Sequence, residues 1–106
     1  MAQAVTAADF DSQVLKSSVP VLVDFFAPWC GPCKAMSPVV DALAQEYEGR
    51  AKVVKVNVDE QGELAGMFNV MSIPTFILFK DGKPVKGFMG AQPKESVAKL
   101  LDSVIA

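Results

Sequence analysis

The run PVLVDFFA, residues 20–27, constrains the fold of this chain more than any other stretch. It is almost continuously apolar and rich in β-branched and aromatic side chains, so a strand here hides both of its faces from water. Such a strand belongs inside a parallel sheet with helices packed on either side. One residue interrupts it: Asp24, a carboxylate in a segment where unpaired acids are almost never found.

The flanking sequence supplies the helices and further strands. QAVT reads as a short edge strand, and Thr6-x-x-Asp9 is a helix-start pattern followed by Phe10 and Val14, four apart on one helical face. CKAMSPVVDALAQEYEG places Met36, Val40, Leu43, Ala44 and Tyr47 at helical spacing, with Gly49 as its stop and Pro38 predicted to interrupt and kink it. KVVKVNVD alternates, which puts Val54, Val56 and Val58 on one face and Lys55 and Asn57 on the other. EQGELAGMFNV is a helix pattern diluted by two glycines. TFILFKDGKPVKGFM reads as two strands joined at Asp81-Gly82, a pair suited to positive φ. Pro93 suits a first helical turn, and Val97, Leu100, Leu101, Val104 and Ile105 form one apolar stripe after it. The order β-α-β-α-β-α-β-β-α predicts an α/β fold: a central mixed five-stranded sheet flanked by four helices, on both faces.

Composition matters chiefly for what it excludes. At 106 residues, 51% of them hydrophobic, the chain is expected to form a single domain over 1–106 with one core. Its net charge of −2 and singly scattered basic residues give no nucleic-acid footprint. Its apolar runs fall far short of the roughly 18 residues that suggest a membrane span. The start MAQAVTAADFDSQV has neither a basic leader nor an apolar core of a secretory signal, so a reducing, cytoplasmic setting is expected.

That setting sharpens the meaning of the only two cysteines, Cys30 and Cys33, which stand between Pro28 and Pro38 beside the only tryptophan, Trp29. A structural zinc site needs four Cys or His ligands, and the chain has two cysteines and no histidine. As a staple, a bridge over four residues yields only about 2 kcal/mol. Burial as two small hydrophobes fits poorly with the intervening Gly31 and Pro32. The remaining reading is a reversible dithiol. Cys30 stands where a helix begins, so unpaired N–H groups and the macrodipole favour its thiolate. Pro32 suits a first turn and needs no N–H partner, Gly31 leaves room for an approaching backbone, and Cys33 falls within the same turn, less exposed than Cys30.

WCGPCK, with VDFFA before it, KVNVD after it and IPTF later, resembles the thioredoxin family over essentially the whole length. The resemblance implies a thioredoxin fold and a thiol–disulfide oxidoreductase, monomeric, that reduces protein disulfides as a general electron donor. It implies no bound cofactor: the Cys30–Cys33 disulfide is reversible, and electrons come from NADPH through a flavoprotein, thioredoxin reductase. Cys30 attacks the substrate disulfide and Cys33 resolves the mixed disulfide. Asp24, which by composition alone could be a solvent-facing edge residue or part of an ion pair, is implied to be the acid/base for Cys33. Lys55, otherwise a solvated lysine, is implied to lie near that acid. Ile73-Pro74 matches the family's cis-proline turn. Trp29, Gly31, Pro32, Ile73, Pro74, Gly90 and Ala91 are implied to bind substrate, with Trp29, Ile73, Pro74, Gly90 and Ala91 forming a flat apolar surface around Cys30.

Two departures stand out: Phe26 where many members carry a second tryptophan, and Met71-Ser72 before Ile73. Two other functions share these features. A disulfide oxidant or isomerase of the same fold usually differs at Gly31-Pro32, and a binding module with incidental cysteines sits badly with an intact WCGPC.

Overall fold

The computed structural model describes residues 2–105, so the two end residues of the expected 1–106 domain lie outside the described residues. Five strands, β1 (Gln3–Ala4), β2 (Val21–Phe26), β3 (Lys52–Asn57), β4 (Thr75–Lys80) and β5 (Lys83–Met89), form one sheet in the order β1-β3-β2-β4-β5. β1 and β2 run parallel to β3, while β2–β4 and β4–β5 are antiparallel. Around it pack a π-helix (Asp11–Leu15), α1 (Gly31–Glu46), α2 (Gly62–Met67) and α3 (Lys94–Asp102).

β2 is central, as its apolar run requires. Val21 through Phe25 are all buried. Successive side chains go to opposite faces. Leu22 joins Val53, Phe76 and Leu78 beneath Met36, Val40, Leu43 and Tyr47 from the α1 segment and Val97 and Leu101 of α3. Val21, Val23 and Phe25 join Val54, Val56 and Phe79 beneath Phe10 and Val14 of the π-helix segment and Leu64 of α2. Each fully buried Leu or Phe contributes on the order of 2 kcal/mol of transfer free energy.

The structure differs from the sequence reading at several points. Val53 is buried as well as Val54 and Val56, because β3 is also covered on both faces, and Val58 lies just past the strand. At the Thr6 pattern the roles reverse: the Thr6 N–H and hydroxyl donate to Asp9 Oδ1, at 2.7 and 3.1 Å, and no side chain caps the π-helix. α1 runs unbroken through Pro38. Pro93 precedes α3 with extended backbone (ψ 148°), and Val104 and Ile105 lie beyond the helix end, packed against the core. The hairpin is as expected. Asp81 and Gly82 take φ of 54° and 79°, and a Cβ on Gly82 would stand 2.9 Å from the Leu15 carbonyl oxygen. Two independent reasons therefore require glycine there.

Candidate active site at the start of the long helix

β2 ends at Phe26, and after four intervening residues the chain enters α1 at Gly31, so the cysteines sit where the central strand meets the first turn of the longest helix among the described residues. Cys30 is the N-cap. Its backbone is extended (φ −82°, ψ 118°), and its Sγ accepts from the Cys33 N–H at 3.2 Å. Pro32 fills a first-turn position whose missing N–H leaves nothing unsatisfied. The same N–H that meets Cys30 Sγ stabilises negative charge on that sulfur once the bond is reduced, and the first-turn dipole adds to it.

The two sulfurs form a disulfide, with Cα atoms 5.2 Å apart. Cys30 and Cys33 are 5% and 4% exposed, so they differ far less in burial than the sequence suggested. They pack with Ala27 against Phe26, Val58 and Ile73.

Asp24 lies on the α1 face of β2, 3% exposed, on the central strand rather than an edge. Among the described residues its Oδ1 has no hydrogen-bond partner. Burial raises its pKa from 3.8 to about 7, against the opposing pull of the Lys55 ammonium. Lys55 is directly opposite Asp24 in the β2–β3 register, half-buried, with its Nζ 5.5 Å from the Phe26 ring centroid. A cavity of about 160 Å³ joins these groups, lined among others by Asp24, Cys33, Ser37 and Lys55. The acid therefore shares with Cys33 a cavity whose lining also includes the exposed Pro28 and Lys34.

The outer side is laid out differently. Trp29 is 68% exposed, and its Nε1–H donates to Asp59 Oδ2 at 2.9 Å. Gly31 and Pro32 are exposed, and nothing lies within 4 Å of a Cβ built on Gly31. The Ile73–Pro74 bond is cis, and the Ile73 carbonyl oxygen lies 3.9 Å from Cys30 Sγ. Gly90 N–H donates to the Pro74 carbonyl at 2.8 Å, which brings Gly90 and the exposed Ala91 to the same turn. One expectation needs correction. Pro74 is buried, directly before strand β4, whereas it was expected to be part of an exposed apolar surface. Sequence reasoning missed the Asp59 contact of Trp29, the Ser37 and Lys34 walls of the cavity, and the exposed Met71 and Met89. For Ser37 a signal existed: it follows Cys33 by four residues, one helical turn on the same face.

A family model described as Thioredoxin matches residues 1–103. The chain is 54% identical over 102 residues to Thioredoxin 1 of Synechococcus elongatus, covering 96% of this chain and 95% of that one. It is 52% identical over 98 residues to Thioredoxin 1 of a Nostoc species, and 56% identical over 98 residues to a thioredoxin of Staphylococcus aureus, with 92% of each chain covered in both cases.

Proposed function

The chain belongs to the thioredoxin family and is a thiol–disulfide oxidoreductase; from that premise we propose the residues by which it reduces protein disulfides and the route by which it is recharged. In the reduced protein the Cys30 thiolate attacks one sulfur of a substrate disulfide. A Cys30–substrate bond forms, the substrate S–S bond breaks, and the first substrate sulfur leaves as a thiolate that takes a proton. Cys33 then gives its proton to Asp24 and attacks Cys30 Sγ. The mixed disulfide breaks, the second substrate thiol leaves, and the Cys30–Cys33 disulfide remains. Two electrons have passed to the substrate.

One observation carries this reading: the disulfide caps a helix, while an acid whose Oδ1 has no partner among the described residues lines a cavity with Cys33. An acid titrating near neutrality is suited to take and return a proton at physiological pH. Lys55 keeps that acid from rising further. Proximity outweighs activation of either thiol, because well-aligned tethered groups reach effective molarities of about 10⁵ M or more.

The substrate polypeptide lies across Trp29, Gly31, Pro32, Ile73, Gly90 and Ala91, over Pro74. The exposure of Trp29, Gly31, Pro32 and Ala91 and the nearness of the Ile73 carbonyl to Cys30 support that placement. Its backbone pairs with Ile73 in the manner of an added strand. The family works without a bound cofactor, and here electrons come from NADPH through the flavoprotein thioredoxin reductase. The protein acts as a monomeric single domain of residues 1–106 in the cytoplasm; among the described residues no helix is long and apolar enough to cross a membrane.

Cys30→Ser is expected to abolish catalytic reduction of a protein disulfide such as insulin's, followed by turbidity with reductase and NADPH. Cys33→Ser is expected to stop after one step, trapping a mixed disulfide visible as an added mass. Turnover surviving in Cys30→Ser would overturn the assignment.

A further inference from the structure

The cavity between Asp24 and Cys33 has a polar wall that the exchange chemistry leaves without a role. Ser37 lies on α1 one turn after Cys33, so both side chains leave the helix on the same side. Exposure along the lining runs in order: Pro28 and Lys34 are exposed, Ser37 and Lys55 half-buried, Cys33 and Asp24 buried. The cavity thus reaches from exposed residues to the buried acid, and half-buried Ser37 is part of its wall.

Asp24 must exchange a proton every cycle, yet among the described residues Oδ1 meets no donor. A space of about 160 Å³ whose lining includes a carboxyl, a hydroxyl and two lysines has room and partners for water. A water there needs two to four polar contacts. Ser37 supplies the one neutral hydroxyl among the lining side chains, able to donate and accept in turn. The charged and titratable groups facing Asp24 are Lys55 from β3 and Cys33 and Lys34 from α1; its β4 neighbour, Phe76, is uncharged.

We propose that Ser37 is a positioning residue for proton exchange: its hydroxyl holds the water through which Asp24 takes the proton of Cys33 and returns it to solvent. The inference rests on the assignment of Asp24 as proton acceptor. The transfer is balanced. The Cys33 S–H breaks, a water O–H forms as another O–H of that water passes to the carboxylate, and Ser37 ends as it began. The competing partner for the hydroxyl is the Lys34 carbonyl, which Pro38 leaves without its helical N–H donor.

Ser37→Thr and Ser37→Val test this, since both are β-branched and differ essentially by the hydroxyl. A donor held near the carboxylate favours its charged form, so losing it moves Asp24 upward from about 7. In carboxyl-carbon NMR titrations the Val variant is expected to titrate about half to one pH unit above the Thr variant. The pH profile of mixed-disulfide resolution is expected to shift by the same amount, with Thr tracking the parent. Thr and Val titrating together would mean a hydroxyl committed to the Lys34 carbonyl and would overturn the proposal, while leaving the role of Asp24 intact. Asp24→Asn distinguishes the two: an unchanged resolution profile in that variant removes the acceptor assignment and this proposal with it.

Discussion

Neighbouring residues of β2 go to opposite faces of the sheet and meet opposite surroundings. Phe25 joins Phe10, Phe68 and Phe79 in a four-ring cluster with centroids 5.2–6.2 Å apart, closed by the π-helix and α2. Asp24, equally hidden, faces α1 across a cavity and, among the described residues, lacks a protein donor for one oxygen. The first face is packed as a core that only has to be stable. The second carries a group whose burial opposes folding whenever it is charged, and that group stands beside Cys33. The contrast teaches that the sheet face beneath α1, which carries Cys33, also carries, among the described residues, a buried carboxyl oxygen without a partner.

The largest expected effects break this comparison open because they have opposite signs at adjacent positions. Phe25→Ala is expected to cost about 3–5 kcal/mol in urea unfolding, at any pH where the protein folds. Asp24 binds its proton more tightly folded (about 7) than unfolded (3.8). Its contribution is therefore fully present below pH 4, lost as pH rises to about 7, and worth about 4 kcal/mol in all. Asp24→Asn is accordingly expected to gain up to about 4 kcal/mol at pH 8 and almost nothing at pH 4. A gain of equal size at both pH values would mean that the charge is not the cause.

How much of this contrast the sequence reveals depends on whether a feature is local. The buried strand, the Asp81-Gly82 hairpin and the cysteines at a helix start each follow from a few consecutive residues. The unexpected acid in PVLVDFFA was equally visible, because a carboxylate in an apolar run needs a reason. What required coordinates was lateral. Nothing in KVVKVNVD says that β3 lies between β1 and β2, which buries Val53 and sets Lys55 opposite Asp24. Nor does proximity in sequence reveal that Asp59 reaches the Trp29 indole 30 residues away, or that Pro74 is buried. Pro38 was expected to interrupt α1, and there is a physical reason why it does not. Its ring removes one helical hydrogen bond, but the packing of Met36, Val40 and Leu43 holds the helix through it.

A middle-sized effect separates the two ends of the α1–α3 face. Away from the cavity, buried Tyr47 donates its hydroxyl to Asp102 Oδ1 at 2.7 Å and so ties α1 to α3 with a satisfied polar group. Tyr47→Phe is expected to cost about 1–2 kcal/mol in stability, since the acceptor is a carboxylate partly open to water. It should leave the rate of disulfide exchange and its pH profile unchanged. A shifted profile would show that the two ends of this face are coupled rather than separate.

The smallest effect concerns Lys55, the cation paired with Asp24 across the β2–β3 register. Its ammonium lowers the pKa that burial raises, so Lys55→Met is expected to move Asp24 further above 7. Lys55 is half-buried and partly screened by water, so the change should be modest: about half a pH unit, or less than about 1 kcal/mol at pH 8. At pH 4, where Asp24 is protonated in both proteins, the charge interaction has nothing to act on and the difference should vanish. Lys55→Arg should behave like the parent at both pH values. An equal loss at pH 4 and pH 8 would instead mean that the aliphatic stem beside Phe26 matters and the charge does not. The cavity would then hold an acid regulated by burial alone, and the second face would differ from the first by one residue rather than by an interacting pair.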